Sequence, residues 1–220
     1  MSVVRKAKGV VETTQYFDDH DALKRFVERS KCRECDLCKN RHKIVVSRGR
    51  YELPIVMIGE APGGDEDKAG EPFVGRAGKK LDTVCMETIN LDTNRCIIVN
   101  TVKCRPLNNR SPKQDEMAMC FPILRRQIEI LAPRIIVLLG GSAVKCVLQG
   151  VFVKNVGKYV GLMVADFAEG SEIREPFGRY PTFVINHPAY IIYDKSRTKE
   201  YRENLVKLRE TCRELGVVWK

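Results

Sequence analysis

A glycine-rich segment, GEAPGGDEDKAGEPFVGRAG from Gly59 to Gly78, constrains the fold of this chain more than any other feature of its sequence. It follows a short apolar run at residues 54–58 that reads as a buried strand, and it leads into a helical pattern. Loops that leave the carboxyl edge of an open α/β sheet form its ligand-binding sites. We therefore predict a binding loop at a sheet edge, in which the ring of Phe73 is available to stack on a flat group.

The composition of this loop argues against a phosphate-binding turn. Neither the G-x-x-x-x-G-K-[ST] pattern nor the G-x-G-x-x-G fingerprint occurs in it. Its acidic side chains would repel a phosphate group; they are Glu60, Asp65, Glu66 and Asp67. A phosphate cradle is therefore the less favoured interpretation of the loop.

Apolar runs typical of strands alternate along the chain with helical patterns, which favours a mostly parallel sheet covered on both faces. The predicted strands are 44–47, 54–58, 96–100, 134–139 and 182–186, of which the last four form the core sheet. The predicted helices are 19–30 with Asp18 or Asp19 as the cap, 76–88, 112–131 with Pro122 interrupting or dividing it, 142–148 and 195–215. An irregular, hairpin-like stretch is expected at 151–179. The sequence thus predicts an α/β fold, a three-layer α/β/α sandwich with a central, mostly parallel four-stranded sheet.

The length and composition suit one domain with a hydrophobic core. The chain has 220 residues, of which 44% are apolar. We expect an N-terminal extension and helix over residues 1–30, loosely attached up to residue 17, and a single domain over residues 31–220. No apolar run approaches the roughly 20 residues of a membrane helix, and the N-terminus lacks a secretory signal. The expected location is therefore the cytoplasm, at the nucleoid.

The net charge of +10 fits a polyanionic partner such as nucleic acid. Basic residues bunch beside the segments that carry the motifs described below, which favours nucleic acid over a merely solvated face. These residues are Arg48, Arg50, Lys103, Arg105, Arg110, Lys195, Arg197 and Lys199.

Nine cysteines are many for a chain without a secretory route, where disulfides are not expected. Cys32 and Cys35 form a C-x-x-C pair, whereas fifteen residues separate Cys104 from Cys120. Zinc is the metal that sets of four cysteines commonly bind, and iron–sulfur clusters accept thiolates that are scattered along the chain. The spacing is therefore compatible with either a zinc site or an iron–sulfur cluster. Four further cysteines lie in apolar patterns and are read as core residues: Cys85, Cys96, Cys146 and Cys212.

Four segments of the chain resemble motifs of the family 4 uracil-DNA glycosylases, the iron–sulfur type of thermophilic archaea and bacteria, and they occur in the same order as in that family. They are the loop at 59–78, NTVKCRP at 100–106, Asn109-Arg110 with Pro112, and HPAY at 187–190. The resemblance covers about residues 32–210 and implies a uracil-DNA glycosylase-like fold. It also implies a DNA repair enzyme that flips uracil from DNA and hydrolyses its N-glycosidic bond, leaving an abasic site. A 4Fe–4S cluster is implied as the cofactor, held by Cys32, Cys35, Cys104 and Cys120, with Cys38 as a bystander.

The resemblance assigns roles at the site that the chemistry of excision requires. Phe73 would stack on the flipped base, and the amide of Asn100 would read its edge, where uracil and cytosine present opposite patterns. His187 would donate to the departing base and stabilise its negative charge. Gly59 and Ala61 would line the substrate, while Glu60 and Glu66 lie at the site without the sequence deciding which one activates water.

Contacts with the DNA backbone are expected from Lys103, Arg105 and Arg110, so that uracil-containing DNA is the predicted partner of a monomer. A sliding clamp stays open as a second partner, but no convincing Q-x-x-[LIM]-x-x-aromatic-aromatic segment is present.

Two alternatives are a non-catalytic iron–sulfur or zinc DNA-binding module and a uracil-DNA crosslinking relative. The crosslinking relative uses a histidine in a basic inserted loop, and the run from Lys103 to Arg110 contains neither. In a non-catalytic module Phe73, Asn100 and His187 would lie apart, whereas a glycosylase needs them in one pocket.

Overall fold

The computed structural model describes residues 19–149, 156–166 and 172–220, and a parallel sheet of four strands lies at its centre. In chain order the strands are β1 (Ile55–Gly59), β2 (Ile97–Asn100), β3 (Ile135–Leu139), a short antiparallel pair of β4 (Leu148–Gln149) and β5 (Glu172–Ile173), and β6 (Thr182–Ile185). The parallel sheet has the order β2-β1-β3-β6. Every residue of its strands is buried, because helices cover both faces; this is why the strands read as continuous apolar runs.

The helices lie largely where the periodicity predicts them. They are α1 (His20–Arg29), α2 (Gly64–Ala69), α3 (Arg76–Ile89), α4 (Gln114–Leu131), α5 (Gly141–Val147), α6 (Tyr190–Tyr193) and α7 (Thr198–Glu214). Asp19 caps α1 by accepting from the Ala22 N–H at 2.5 Å, so the predicted capping role is confirmed. Pro122 lies inside α4 without dividing it, which corrects the expected interruption.

The core forms two layers, one on each face of the sheet, which confirms the predicted α/β/α sandwich. On one face the side chains of β1 and β2 pack against α4 and α5 through Val56, Val99, Leu124, Ile128 and Val144. On the other face they pack against α3 and α7 through Met57, Ile98, Leu81, Val84 and Leu205.

The strand predicted at 44–47 does not form. Val45 N–H donates to Lys103 O at 2.8 Å, and Arg48 makes an isolated bridge with Ile98. The segment is apolar for a different reason, because Ile44 and Val46 fill a small cluster beneath Leu23 and Val27 of α1.

Helix α7 starts at Thr198 rather than at residue 195, after a turn of 3₁₀ helix at Lys195–Arg197. The expected extension at 1–17 and parts of the hairpin-like stretch at 151–179 lie outside the described residues. In the described part of the chain no helix has the length and apolar character that crossing a membrane requires.

Candidate functional site

The carboxyl ends of the four parallel strands meet at one edge and bring the predicted site residues together. Gly59, the last residue of β1, is paired in register with Asn100, the last residue of β2. Gly140 follows β3 directly, and His187 comes two residues after β6. The parallel pairing of the strands is therefore sufficient to bring these residues to the carboxyl edge of the sheet, where the sequence predicts the site.

Gly59 lets an aromatic ring and an amide approach the end of β1 together. A Cβ atom at this position would lie 2.5 Å from two ring atoms of Phe73 and 2.6 Å from Asn100 Oδ1. Both distances are far below van der Waals contact, so a larger residue would displace the ring or the amide. Gly59 thus contributes to the site by having no side chain.

Phe73 is held in a left-handed backbone conformation, with φ at 57°, and its side chain is 5% exposed. Its ring centroid lies 5.7 Å from that of His187, with the planes inclined by 45°. A Cβ atom at Gly78 would come 1.7 Å from the Phe73 carbonyl oxygen, so α3 packs tightly against this turn. This packing maintains the strained backbone of Phe73 and with it the position of the ring beside the imidazole.

The amide of Asn100 is buried, with 1% exposure, and neither Oδ1 nor Nδ2 has a hydrogen-bond partner among the described residues. A buried amide normally finds partners, because desolvating it without them is unfavourable. An amide left open next to an aromatic ring is therefore prepared for a ligand that both donates and accepts.

His187 can approach the sheet because the residue directly after β3 is a glycine. Gly140 has φ at +87°, and a Cβ atom there would lie 2.9 Å from His187 Cβ. The Ala189 N–H donates to His187 Nδ1 at 3.3 Å, which leaves the proton of a neutral ring on Nε2. Burial lowers the pKa of His187, against an opposing effect of the Glu60 and Glu66 charges. The ring is therefore a neutral donor through Nε2.

The two candidate carboxylates have different surroundings. Glu66 accepts from the Gly75 N–H at 2.7 Å and from the Gly63 N–H at 3.1 Å, so it ties both ends of the turn that carries Phe73. Glu60 instead accepts from Ser142 Oγ at 2.5 Å. The contacts of Glu66 fit a structural brace better than the predicted catalytic role.

Ser142 stands outside the residues singled out from the sequence. Its position directly after Gly140-Gly141 at the end of β3 is the signal that could have found it. Ala61, which was predicted to line the substrate, is half-buried against the core layer of α4 and α5.

Loss of the Glu66 brace should impair excision through the loop rather than through proton transfer. We expect Glu66→Ala to slow the single-turnover rate by about ten- to a hundredfold, because small misplacements of catalytic groups have effects of this size. The loss of hydrogen bonds to the carboxylate should also lower the free energy of unfolding by about 1.5–3 kcal/mol. Lys68→Ala on the same helix is the control. A strong loss of rate with unchanged stability would instead assign Glu66 to the chemistry.

The predicted DNA contacts do not share one environment. Lys103 is 1% exposed and donates from Nζ to Asn100 O at 2.7 Å, so it does not fit a contact with the DNA backbone. Burial lowers its pKa to about 8. Arg110 binds both carboxylate oxygens of Glu116, at 2.6 and 2.8 Å, and its charge is thereby largely neutralised. The charge in the local sequence gave no sign of the burial of Lys103 or of the pairing of Arg110.

Arg105, the third predicted DNA contact, lies next to the glycine-rich loop. Its Nε donates to Asn109 Oδ1 at 2.8 Å, and its guanidinium carbon would lie 3.3 Å from a Cβ atom at Gly64. The arginine therefore faces the start of α2, within the loop that carries Phe73.

A basic surface that was not predicted from the sequence lies beside the segment that follows His187. Four cations line a groove between the start of α3 and the segment that leads into α7: Arg76, Lys79, Lys80 and Lys195. Tyr193 on α6 is 85% exposed, and the Arg76 guanidinium lies 5.9 Å from the centre of its ring. The spacing of Arg76, Lys79 and Lys80 on one helical face is the signal that could have revealed it.

The four cysteines expected to bind a cofactor line a single cavity of about 220 Å³, here called the thiol cavity: Cys32, Cys35, Cys104 and Cys120. Cys104 Sγ accepts from Arg41 Nη1 at 3.3 Å, and Cys120 Sγ accepts from the Lys103 N–H at 3.3 Å. Cys38 lines the same cavity. Across the described ranges no three His, Cys, Asp or Glu side chains are grouped as ligands of a single metal ion would be.

Comparison with known proteins gives several relatives with the same name. Residues 46–209 match the family model described as the uracil DNA glycosylase superfamily. A type-4 uracil-DNA glycosylase of Sulfurisphaera tokodaii is 37% identical over 86% of this chain and 84% of its own. Proteins of the same name from Thermotoga maritima and Archaeoglobus fulgidus are 40% and 36% identical, over 76% and 84% of this chain and 80% and 90% of theirs. With this similarity over most of its length, the chain belongs to the uracil-DNA glycosylase superfamily and, within it, to the type-4 uracil-DNA glycosylases.

Proposed function

We propose that this protein excises uracil from DNA by hydrolysing the bond between the base and its deoxyribose, leaving an abasic site. The observation that carries this proposal is the amide of Asn100, which is buried and has no hydrogen-bond partner among the described residues; like the ring of Phe73, it lies close to Gly59 at the strand edge. The imidazole of His187 lies beside the same ring. The ring of Phe73 thus lies near both Asn100 and His187 at one edge of the sheet, which supports a glycosylase over a non-catalytic module.

The amide of Asn100 is suited to select uracil against cytosine. Its Nδ2 donates to uracil O4 while its Oδ1 accepts from N3–H. Cytosine reverses both positions, since it presents an amino donor and an unprotonated ring nitrogen. A flipped cytosine would therefore leave both groups of the buried amide facing a like partner, which is unfavourable in a pocket without water.

The polar groups around the base support departure of the uracil anion. His187 donates from Nε2 to uracil O2, where negative charge develops as the glycosidic bond breaks. Glu60 is held by Ser142 and is the charge that acts most strongly on His187. We assign to Glu60 the polarisation of water and the stabilisation of the cationic sugar, and to Glu66 the support of the loop.

We further propose that the thiol cavity holds a 4Fe–4S cluster. The cavity that the four cysteines line is larger than the space enclosed by four thiolates at about 2.3 Å from a single zinc ion, which favours a larger group. The N–H donors on Cys104 and Cys120 suit sulfur atoms that ligate a cluster. Such a cluster supplies a cross-link between the segment after α1, the turn after β2 and helix α4.

Protein purified without oxygen should therefore be brown and contain iron. Cys104→Ser should lose the visible absorption and the iron, because it removes one of the four proposed ligands. Cys38→Ser is the matched control, since Cys38 lines the same cavity. This variant is expected to keep the iron. Colourless protein with one zinc per chain would rule out the cluster.

The cations at the rim support binding of the DNA backbone, and the salt dependence of binding tests which of them take part. We expect Arg105→Ala to reduce the slope of log K against log salt concentration by about one. Arg110→Ala should leave the slope nearly unchanged, because Glu116 already neutralises that arginine. Equal slopes for both variants and the unaltered protein would mean that Arg105 faces away from the DNA.

The activity itself is tested with a duplex that contains one uracil, assayed for release of the base and for an abasic site. A duplex with cytosine at the same position is the control. Binding without release would favour the non-catalytic module, and a covalent protein–DNA adduct would favour the crosslinking alternative. We place the activity at the nucleoid, where this substrate arises, and expect a monomer to carry it out.

A further inference from the structure

Lys103 connects the thiol cavity with the residue that reads the base. Its ammonium group donates to Asn100 O at 2.7 Å, and its backbone N–H donates to Cys120 Sγ at 3.3 Å. The residue that follows it in the chain is Cys104. One buried side chain therefore lies between two predicted cluster ligands and the end of β2.

The burial of Lys103 requires a reason, because a lysine side chain is almost never fully buried without compensation. It lies on the wall of the thiol cavity, among the sulfur atoms of Cys104 and Cys120. Its backbone is also fixed, since the Val45 N–H donates to its carbonyl oxygen at 2.8 Å. The ammonium group is thus directed at the Asn100 carbonyl from a backbone that is hydrogen-bonded at both its N–H and its carbonyl oxygen.

The Asn100 side chain has no such support of its own. Neither atom of its amide has a hydrogen-bond partner among the described residues, so the orientation of the amide depends on its backbone and on packing beside Gly59. A cation on the Asn100 carbonyl oxygen restrains the backbone from which the amide projects. A small rotation there would move the amide away from the edge of the base.

We propose that Lys103 is a positioning residue for base recognition, which transmits the order of the thiol cavity to the amide of Asn100. The inference rests on the proposed function, because it assumes that Asn100 reads uracil. It gives the cavity a second role besides joining chain segments. Disturbance of the cavity then weakens uracil recognition through the end of β2, even where the fold is retained.

The test compares Lys103→Met with Lys103→Arg and with a matched control, Gln127→Met. Methionine keeps the length of the lysine side chain and removes its charge and its donors, while arginine keeps both. Gln127 is also fully buried, and its amide donates to Val46 O at 3.2 Å, away from the pocket. The control therefore loses a buried hydrogen bond without touching the site.

The measurements are the iron content, the melting temperature, the affinity for free uracil and the single-turnover rate on uracil-containing duplex. We expect Lys103→Met to keep its iron and to lose about tenfold in uracil affinity and in rate, the effect of one hydrogen bond to a charged group. Lys103→Arg should recover part of both. Gln127→Met should lower the melting temperature and leave affinity and rate unchanged.

Unchanged uracil affinity and rate in Lys103→Met would overturn the proposal, as would an equal loss in the methionine and arginine variants. Loss of iron together with activity in both variants would also overturn it, because Lys103 would then support the cluster alone. Failure of the unaltered protein to release uracil would refute the proposed function instead, and the two failures are thereby distinguished.

Discussion

Replacement of His187 by alanine is expected to slow uracil excision by about 10²–10³-fold, the usual effect of removing a donor to a developing anion. The affinity for uracil-containing duplex should stay nearly unchanged. The hydrogen bond from Nε2 to uracil O2 strengthens as the base gains charge, so it contributes mainly to the transition state. Single-turnover kinetics at saturating protein, together with equilibrium binding, separate the two effects.

The pH dependence provides a second test of His187. Burial lowers its pKa, so the ring stays neutral at pH values where a free histidine is already half protonated. Protonation would place a proton on Nδ1, which accepts from the Ala189 N–H in the neutral form. The rate of the unaltered protein should therefore hold as the pH falls through the ordinary histidine range and decline only below it.

His42→Ala is the matched histidine control. His42 is exposed and pairs with Asp67 at 2.6 Å, so its loss should leave the rate of excision in place. A His187→Ala variant that loses DNA affinity and keeps its single-turnover rate would make His187 a positioning residue and refute the assigned role.

The core strands were predictable because a parallel strand buried on both faces is apolar at every position. The segments predicted at 54–58, 96–100, 134–139 and 182–186 match β1, β2, β3 and β6 to within a residue at each end. The segment at 44–47 is equally apolar, yet it packs under α1 instead of pairing as a strand. An apolar run predicts that a segment is buried. It does not predict whether the segment pairs as a strand or packs under a helix, because that depends on residues elsewhere in the sequence.

The pocket was predictable for a related reason. Gly59, Asn100 and His187 all follow apolar runs, and parallel strands bring their carboxyl ends to one edge. Phe73 was added by its glycine-rich surroundings and by the family resemblance. The roles of these residues remain predictions, but their proximity is a property of the fold.

The charged residues were harder to interpret. Lys103 and Arg105 stand two positions apart in the sequence, yet the first is buried and the second faces the rim. The path of the turn after β2 determines which of the two side chains is buried, and the charges in the sequence do not indicate that path. Glu66 had a readable signal, since a glutamate three residues after Gly63 at the start of a helix is in the position to bind the N-cap N–H.

Substitution of Asn100 by aspartate should reduce uracil excision by about a hundredfold or more. A site that recognises its substrate through hydrogen bonds discriminates strongly against a substrate with which those bonds no longer form. An ionised carboxylate accepts from uracil N3–H but has no donor for O4. It also adds a charge that the buried site does not compensate. The reduction should be measured as the single-turnover rate on a duplex with one uracil.

The same substitution should admit cytosine, and more so as the pH falls. Burial raises the pKa of a carboxyl group, so the protonated form gains population on acidification. A protonated carboxyl donates from its hydroxyl to cytosine N3 and accepts from the N4 amino group, which complements the pattern that the amide opposes. Release of cytosine by Asn100→Asp should therefore rise between about pH 8 and pH 5.

A surface substitution separates base reading from a general effect of added charge. Asn90→Asp introduces the same change at the exposed end of α3 and should leave both excision of uracil and rejection of cytosine as they are. If Asn100→Asp retained full uracil excision at every pH, the open amide at the end of β2 would not read the base. Selectivity would then have to arise from the shape of the pocket around Phe73, and the buried amide would need another ligand.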